Sequence, residues 1–356
     1  MAYTAIDDPE KFFQAFAYTG GSGNTEFDFD GTSDMAPGLV WIKNRGQTDN
    51  HAWIDSVRGN RFWVGSNVDD QQDYNNAAYL FNFRSDGFTT SDTDVVGKNN
   101  ETYISWNWKS SDSTVSDTTT NYLANSQRVS ETSGFTTLTY TGNASNTVLN
   151  TGLSDKLDWS ITKRLDADGD WIVWHRQNVG TVGRNYFVLN TTAAATQNHA
   201  TIFQNIAPQM DGSISYQAIG SNSAINVNTA TYVSYGWAPR QGFSRFGKYV
   251  GNGSANGPFV YTGFKPAFLF QKKVSAGNNG SVKDNKRNPF NPVSIYSLAD
   301  ANEAEGTSGL DHDFLSNGFK INTNSGGVND DGETYIYAAF AESPFVNSNK
   351  VPNNAR

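Results

Sequence analysis

The sequence predicts an all-β protein: three tandem antiparallel β-sandwich modules of jelly-roll or lectin-like type. Three observations carry this expectation. First, a block opening with Tyr18-Thr19-Gly20, passing Asp86-Gly87-Phe88 and closing with Thr102-Tyr103-Ile104-Ser105-Trp106 occurs three times. Its second copy has Tyr140-Thr141-Gly142, Asp211-Gly212-Ser213 and Thr231-Tyr232-Val233-Ser234-Tyr235; its third has Tyr249-Val250-Gly251, Asn317-Gly318-Phe319 and Thr334-Tyr335-Ile336-Tyr337. Each copy is long enough for a small domain, well beyond the ~20–50 residues of a solenoid repeat. Second, apolar runs of strand length end in turns rich in Gly, Asn and Asp, as antiparallel strands do. Third, helical periodicity is scarce.

Residues 1–15 read as a lead-in, and Asp8 to Ala17 is the one helix candidate of the first half, with Asp8 as cap ahead of Pro9. Module one is placed at 16–109, with strands at Gly38 to Lys43, Phe62 to Val64, Ala78 to Phe83 and Thr102 to Trp108. In the last of these Tyr103, Ser105 and Asn107 alternate with Ile104, Trp106 and Trp108, the pattern of one core face and one solvent face. Residues 110–134 are rich in Ser, Thr and Asp and read as a linker, whose Asn121 to Asn125 segment has the makings of an edge strand. Module two takes 135–239, module three 240–345, and the polar tail 346–356 is expected to be extended. Each opening strand runs into a polar hairpin turn: Lys43 to Gly46, Lys163 to Asp170, and Lys272 to Gly280. Ala299 to Glu305 is read as a short inserted helix.

Composition narrows the function. A net charge of -9 argues against nucleic acid as a partner, because polyphosphate binding rests on basic patches. No cysteine is present, so a disulfide framework and thiolate metal sites are excluded. No stretch approaches the roughly 20 apolar residues of a membrane span, so membrane insertion is not expected. The amino terminus lacks a basic region followed by an apolar run, so synthesis in a cytoplasm is expected and, if the protein acts outside, release by another route such as lysis.

The chemistry-bearing residues are few. Asp166, Asp168 and Asp170 alternate as in the first half of a calcium loop, but Gly169 is fourth rather than sixth and the twelfth position is Gln177; they are candidate cation ligands, against a turn-forming role. The acidic loop Asn329 to Glu333 carries the same pair of readings. His51, His175, His199 and His312 show no paired spacing for zinc, and no Gly-x-Ser-x-Gly elbow or phosphate loop occurs. No acidic pair recurs through the three copies, so a two-carboxylate glycosidase lacks support and the chain is read as non-enzymatic, without cofactors. Trp53, Trp63, Tyr74, Tyr79, Trp171 and Trp174 are candidate carbohydrate-binding aromatics, against the alternative that they pack in the core.

The residues Trp41-Ile42-Lys43-Asn44-Arg45, Asp55-Ser56-Val57-Arg58-Gly59, Trp106-Asn107-Trp108-Lys109, Gly257-Pro258-Phe259-Val260-Tyr261-Thr262-Gly263-Phe264 and Ala339-Phe340-Ala341-Glu342-Ser343-Pro344-Phe345 give the chain a resemblance over nearly its whole length. It resembles a repeat family of lectin-like β-sandwich modules in structural proteins of tailed phages, especially those of marine and cyanobacterial hosts. The resemblance implies a virion building block and supplies no catalytic residues. The expected function is therefore a structural protein on the virion surface, made in the host bacterial cytoplasm. A tail fibre or adhesin component contacting the host is the leading reading, a capsid decoration protein the alternative and a glycan-processing enzyme the third. Expected partners are other tail or capsid proteins, a host-surface glycan, and further copies of the chain, since repeated modules multiply weak contacts.

Overall fold

The computed structural model describes residues 3–74, 81–111, 114–118, 123, 125–178, 185–203, 209–211 and 214–353, which leaves Tyr79 outside the described residues. All sheet pairings are antiparallel. One strand order recurs three times. In the first large sheet the opening strand Phe13–Thr19 lies beside the closing strand Thr102–Lys109, then come the hairpin strands Pro37–Asn44 and Ala52–Asp55, then Phe62–Val64 and Asp73–Tyr74. The second runs Phe135–Thr141, Thr231–Trp237, Trp159–Arg164, Ile172–His175 and Phe187–Val188; the third runs Ser244–Val250, Thr334–Pro344, Phe264–Lys273, Gly280–Asp284 and Ser297–Leu298. Each is accompanied by a three-stranded sheet: Thr25–Phe27, Phe88–Thr90 and Phe81–Phe83; Thr147–Asn150, Ile214–Ile219 and Gln209–Asp211; Phe259–Tyr261, Gly318–Ile321 and His312–Leu315.

The repeated sequence signature has a cause within each unit. The opening tyrosines Tyr18, Tyr140 and Tyr249 donate their hydroxyls to the carbonyls of Val96, Ile225 and Val328. Each stacks on the closing-motif tyrosine paired opposite it, Tyr103, Tyr232 or Tyr335, with ring centroids 5.0–5.3 Å apart. The glycines that follow, Gly20, Gly142 and Gly251, lie so close to the loop before the closing strand that a Cβ would overlap the carbonyl oxygens of Lys98, Val227 and Asp330. Only glycine permits that backbone approach.

Both faces of each large sheet are covered along its central strands. Pro37–Asn44 is buried throughout, and Thr102–Lys109 is buried at all but its ends. The expected solvent face of the closing strand is therefore absent. Tyr103 packs against the small sheet with Phe16, Val40, Phe81 and Phe88. Ile104, Trp106 and Trp108 point the other way, into a core that also takes in Trp159, Val233, Tyr235 and Trp237 of the second sheet and Phe268, Ile336 and Phe340 of the third. Trp108, Trp237 and Phe340 hold the same place in the closing motif. They meet at the centre, with ring centroids 5.7, 5.5 and 6.5 Å apart for the three pairs. The three sheet pairs are thus arranged around a pseudo-threefold axis with one shared core.

One exchange shows that these cores are fitted individually. Phe16 pairs with Ser105 and Leu138 with Ser234, whereas the third unit pairs Gly247 with Tyr337. Large and small have swapped strands, and a Cβ on Gly247 would collide with the Tyr337 ring. Total volume at the pair is preserved, which close-packed interiors require.

Several expectations are corrected. The helix expected at Asp8 to Ala17 is a single 3-10 turn, Pro9–Lys11, and the chain is already a strand from Phe13, because Phe13 and Ala15 pair with Trp108 and Trp106 and enter the shared core. The linker 110–134 instead adds Val115–Asp117 and Asn125–Ser130 to the edge of the second large sheet, where Asn125 and Gln127 are buried. Its polar composition concealed a strand whose backbone groups pair fully with the opening strand. Ala299 to Glu305 is not helical but crosses to the first unit, with Glu305 donating its N–H to the Arg45 carbonyl at 2.9 Å. The tail folds back rather than extending: Lys350 N–H bonds to the Asn347 carbonyl and Asn353 N–H to that of Phe345, each at 3.0 Å.

Candidate functional site

The hairpin turns that sequence singled out form the joints between sheet pairs. The N–H of Gln72 donates to the carbonyl of Leu165, that of Ala195 to Val274, and that of Glu305 to Arg45. The three acceptors share one position, two residues after Lys163, Lys272 and Lys43. Contacts run from first to second, second to third and third to first unit, so the ring is closed. Lys163 donates to the carbonyls of Asp69 and Gly169, Lys272 to those of Thr191 and Asn278, and Lys43 to those of Asn44 and Gln47. The first two therefore reach into the preceding unit. A second layer of contacts repeats too: Tyr235 donates to Asp55, Trp106 to Asp284, and His175 Nε2 lies 3.1 Å from the Tyr337 carbonyl oxygen. Asp55 and Asp284 each hold a buried arginine, Arg58 and Arg287.

The buried ionisable groups at these joints are expected to make stability depend on pH. Trp41 donates its indole N–H to His51 Nδ1 at 2.8 Å, so Nε2 carries the proton and faces the carbonyls of Leu298 and Ala301. Burial, with the Lys43 charge adding to it, pushes His51 down to about 3, and burial pushes His175 down to about 4. A depressed histidine contributes stability that is complete above its unfolded value of ~6.5 and is lost as pH falls through the folded one. Lys43 and Lys163 are pushed down to about 8, burial being the main cause. Between there and the unfolded value of ~10.4 only the unfolded chain carries the proton, so their contribution to stability rises with pH. Asp300 runs the opposite way below neutrality, raised to about 6 by burial. Urea midpoints are expected to climb from pH 4 to 7 and again from pH 8 to 10. They fall beyond about pH 10, as the unfolded tyrosines ionise while burial keeps Tyr18, Tyr140 and Tyr249 protonated. A midpoint that is flat from pH 4.5 to 7, or an acid-side slope unaltered by His51→Asn, contradicts this assignment.

The candidate residues separate into distinct environments. Trp53, Trp171 and Trp174 are at most 1% exposed. Trp53 and Trp171 pack together at the first joint, and Trp174 lies between the second large and small sheets. They are core residues and not carbohydrate contacts, since both faces of the sheet are covered where they lie. Trp63 is half-buried and Tyr74, at 50% exposure, packs at a tilt against Phe62. Asp166, Asp168 and Asp170 do not converge. Asp166 pairs with Arg164, Asp168 accepts the Gln71 N–H, and Asp170 accepts from Asn190. No group of acids and histidines suited to a metal ion occurs among the described residues, and the three aspartates serve the turn and the joint instead. Asp168 does border a cleft of about 340 Å³ with Trp63, Asp70, Gln72 and Asp73, so two of the sequence candidates meet there.

A larger cleft, about 460 Å³, was not anticipated. Tyr3, Asp158, Gln177, Arg240, Arg245, Tyr261 and the backbone of Gly242 and Gly263 line it where the lead-in crosses the junction of the second and third units. Tyr3 donates its hydroxyl to the Gly263 carbonyl at 2.8 Å and lies 3.1 Å from the Tyr261 hydroxyl. The Arg245 guanidinium sits 5.8 Å from the Tyr261 ring centroid. Arg240 is occupied by Glu131 and Asp155, and Asp158 by Arg176. The one sequence signal was Phe259-Val260-Tyr261, an alternating strand whose two aromatics required an outward or an inward assignment.

Fold and site together define an all-β framework of paired antiparallel sheets in which most ionisable groups of the interior serve the joints. The chain belongs to a family described as a domain of unknown function (DUF7483), which matches residues 8–344. That span runs from the turn before the first strand to the end of the last, so the family unit is the whole ring rather than one repeat. No curated protein and no solved structure matches the chain.

Proposed function

We propose that this chain is a non-catalytic structural protein of a tailed-phage particle surface, seated as a pseudo-threefold cap on neighbouring virion subunits. The carrying observation is the closed ring of equivalent joints, from Arg45 to Glu305, Leu165 to Gln72 and Val274 to Ala195. A body with three equivalent sides offers related surfaces to three neighbours, the geometry of a threefold or quasi-threefold position. The resemblance to phage structural repeats supports the setting. The commitment of His51, His175, Lys163, Lys272, Asp55 and Asp284 to joint contacts supports a passive role. The partners are shell or tail proteins, and the chain is present in many copies per particle.

A tail adhesin is the second reading, favoured by the exposed Phe259 and Tyr261. Gold-labelled antibody on intact particles separates the two. Label over the shell is expected for a cap, and label confined to the tail selects the adhesin. Particles that carry neither, from a lysate in which the protein is abundant, overturn the virion assignment.

A further inference from the structure

The outer face of the third small sheet differs in kind from that of the first. In the first, Glu26 precedes the Phe27 paired with Phe88, Asp28 follows it, and both acids are bound by Arg84. In the third, the corresponding neighbours of Val260, which pairs with Phe319, are Phe259 and Tyr261, 47% and 44% exposed. An ion-paired surface has been replaced by two aromatics on one face of a hydrogen-bonded strand. Alternate residues of a strand stand about 7 Å apart, a spacing at which successive rings of an extended saccharide reach both. Beside Phe259, Lys320 is held by Asn256 and the Gly257 carbonyl. Beside Tyr261, Gly318 leaves the surface flat.

Tyr261 also forms the rim of the 460 Å³ cleft. Of the two arginines that line it, Arg240 is already ion-paired to Glu131 and Asp155, and the lining Asp158 is held by Arg176 from outside the cleft. Arg245 is exposed, close to the Tyr261 ring, hydrogen-bonded to the Tyr337 side chain and attracted by the Asp158 charge across the cleft, and it makes no ion pair in direct contact among the described residues. A guanidinium beside an aromatic face suits a planar carboxylate attached to an apolar ring face. Gln177 lines the same cleft, and the Tyr261 hydroxyl, whose proton goes to the Tyr3 oxygen, still accepts from sugar hydroxyls. We propose that Phe259, Tyr261 and this cleft form a binding site for an acidic oligosaccharide, with sugar rings stacked on the two aromatics and a carboxylate on Arg245. The assignment does not depend on where the protein sits in a particle.

The test is an array of glycans bearing sugar carboxylates, each beside its neutral counterpart, probed with the full-length chain and followed by titration calorimetry on those retained. Wild type is expected to retain carboxylated glycans about tenfold or more tightly than neutral ones. Arg245→Gln is expected to erase that preference, and Phe259→Ala and Tyr261→Ala to weaken binding of both kinds. Thermal unfolding of each variant, expected to match wild type because these side chains are exposed, shows that losses are local. Trp63→Ala is expected to bind as wild type. The proposal is overturned if no carboxylated glycan is retained, if neutral glycans bind equally well, or if folded Arg245→Gln and Tyr261→Ala bind unchanged.

Discussion

Replacing Trp108 with alanine is expected to lower the free energy of unfolding by about 3–5 kcal/mol, the usual cost of emptying a large buried aromatic site. The loss reaches beyond the first sheet pair, because Trp108 touches Trp237 and Phe340 as well as Phe13. Denaturant unfolding followed by tryptophan fluorescence and far-ultraviolet circular dichroism should give coincident transitions in wild type, shifted together in the variant. Trp108→Phe is expected to cost much less. Phe340 already fills that place in the third unit, and the indole N–H of Trp108 has no hydrogen-bond partner among the described residues. If Trp108→Ala produces two separate transitions, one shifted and one unmoved, the sheet pairs do not share a cooperative core.

Removing Arg287 is the second large effect. Its guanidinium bonds to Asp284 at 2.7 Å, to Ser297 at 2.7 Å and to the Val282 carbonyl at 3.1 Å, with both charged side chains fully buried. Arg287→Ala strands the Asp284 carboxylate in the core and is expected to cost about 3–5 kcal/mol, the usual penalty for breaking a buried pair from one side. The second unit holds His175 and Asn178 at the same positions, so the fold does not require an ion pair there. The double variant Asp284→Asn with Arg287→Met should therefore recover much of the loss, since no charge is left unpaired. Calorimetry of wild type and of each variant measures this; a double variant as unstable as Arg287→Ala means that arginine packing, not charge, is what matters.

Much of the local structure was legible because its causes are local. The Tyr-x-Gly openings were legible for another reason: the stacked tyrosine and the backbone approach that only glycine allows join the two ends of one repeat, so the same residues recur in all three copies. The hairpins at Lys43, Lys163 and Lys272 are marked by their turn residues. Misreadings arose where tertiary pairing outweighed composition. Asn125–Ser130 is polar yet pairs as a strand, and Phe13–Thr19 carries a helix-like start yet belongs to a sheet. The candidate site was the least legible part. Trp53, Trp171 and Trp174 carry the same side chain as an exposed platform would, and only the presence of a second covering layer buries them. Phe259 and Tyr261 look like core residues in a short alternating strand, and only the position of that strand on the outside of the molecule exposes them.

The sequence by itself determined the all-β class, the strand and turn pattern of each repeat and the acidic, cysteine-free surface chemistry, because these depend on side-chain period, turn preference and charge within short windows. The tertiary structure alone decided that the repeats share one core, that Arg45 and Glu305 close the ring, and which aromatics face outward. Those outcomes depend on contacts between residues as far apart as 260 positions, and no local preference encodes which faces meet across such a distance.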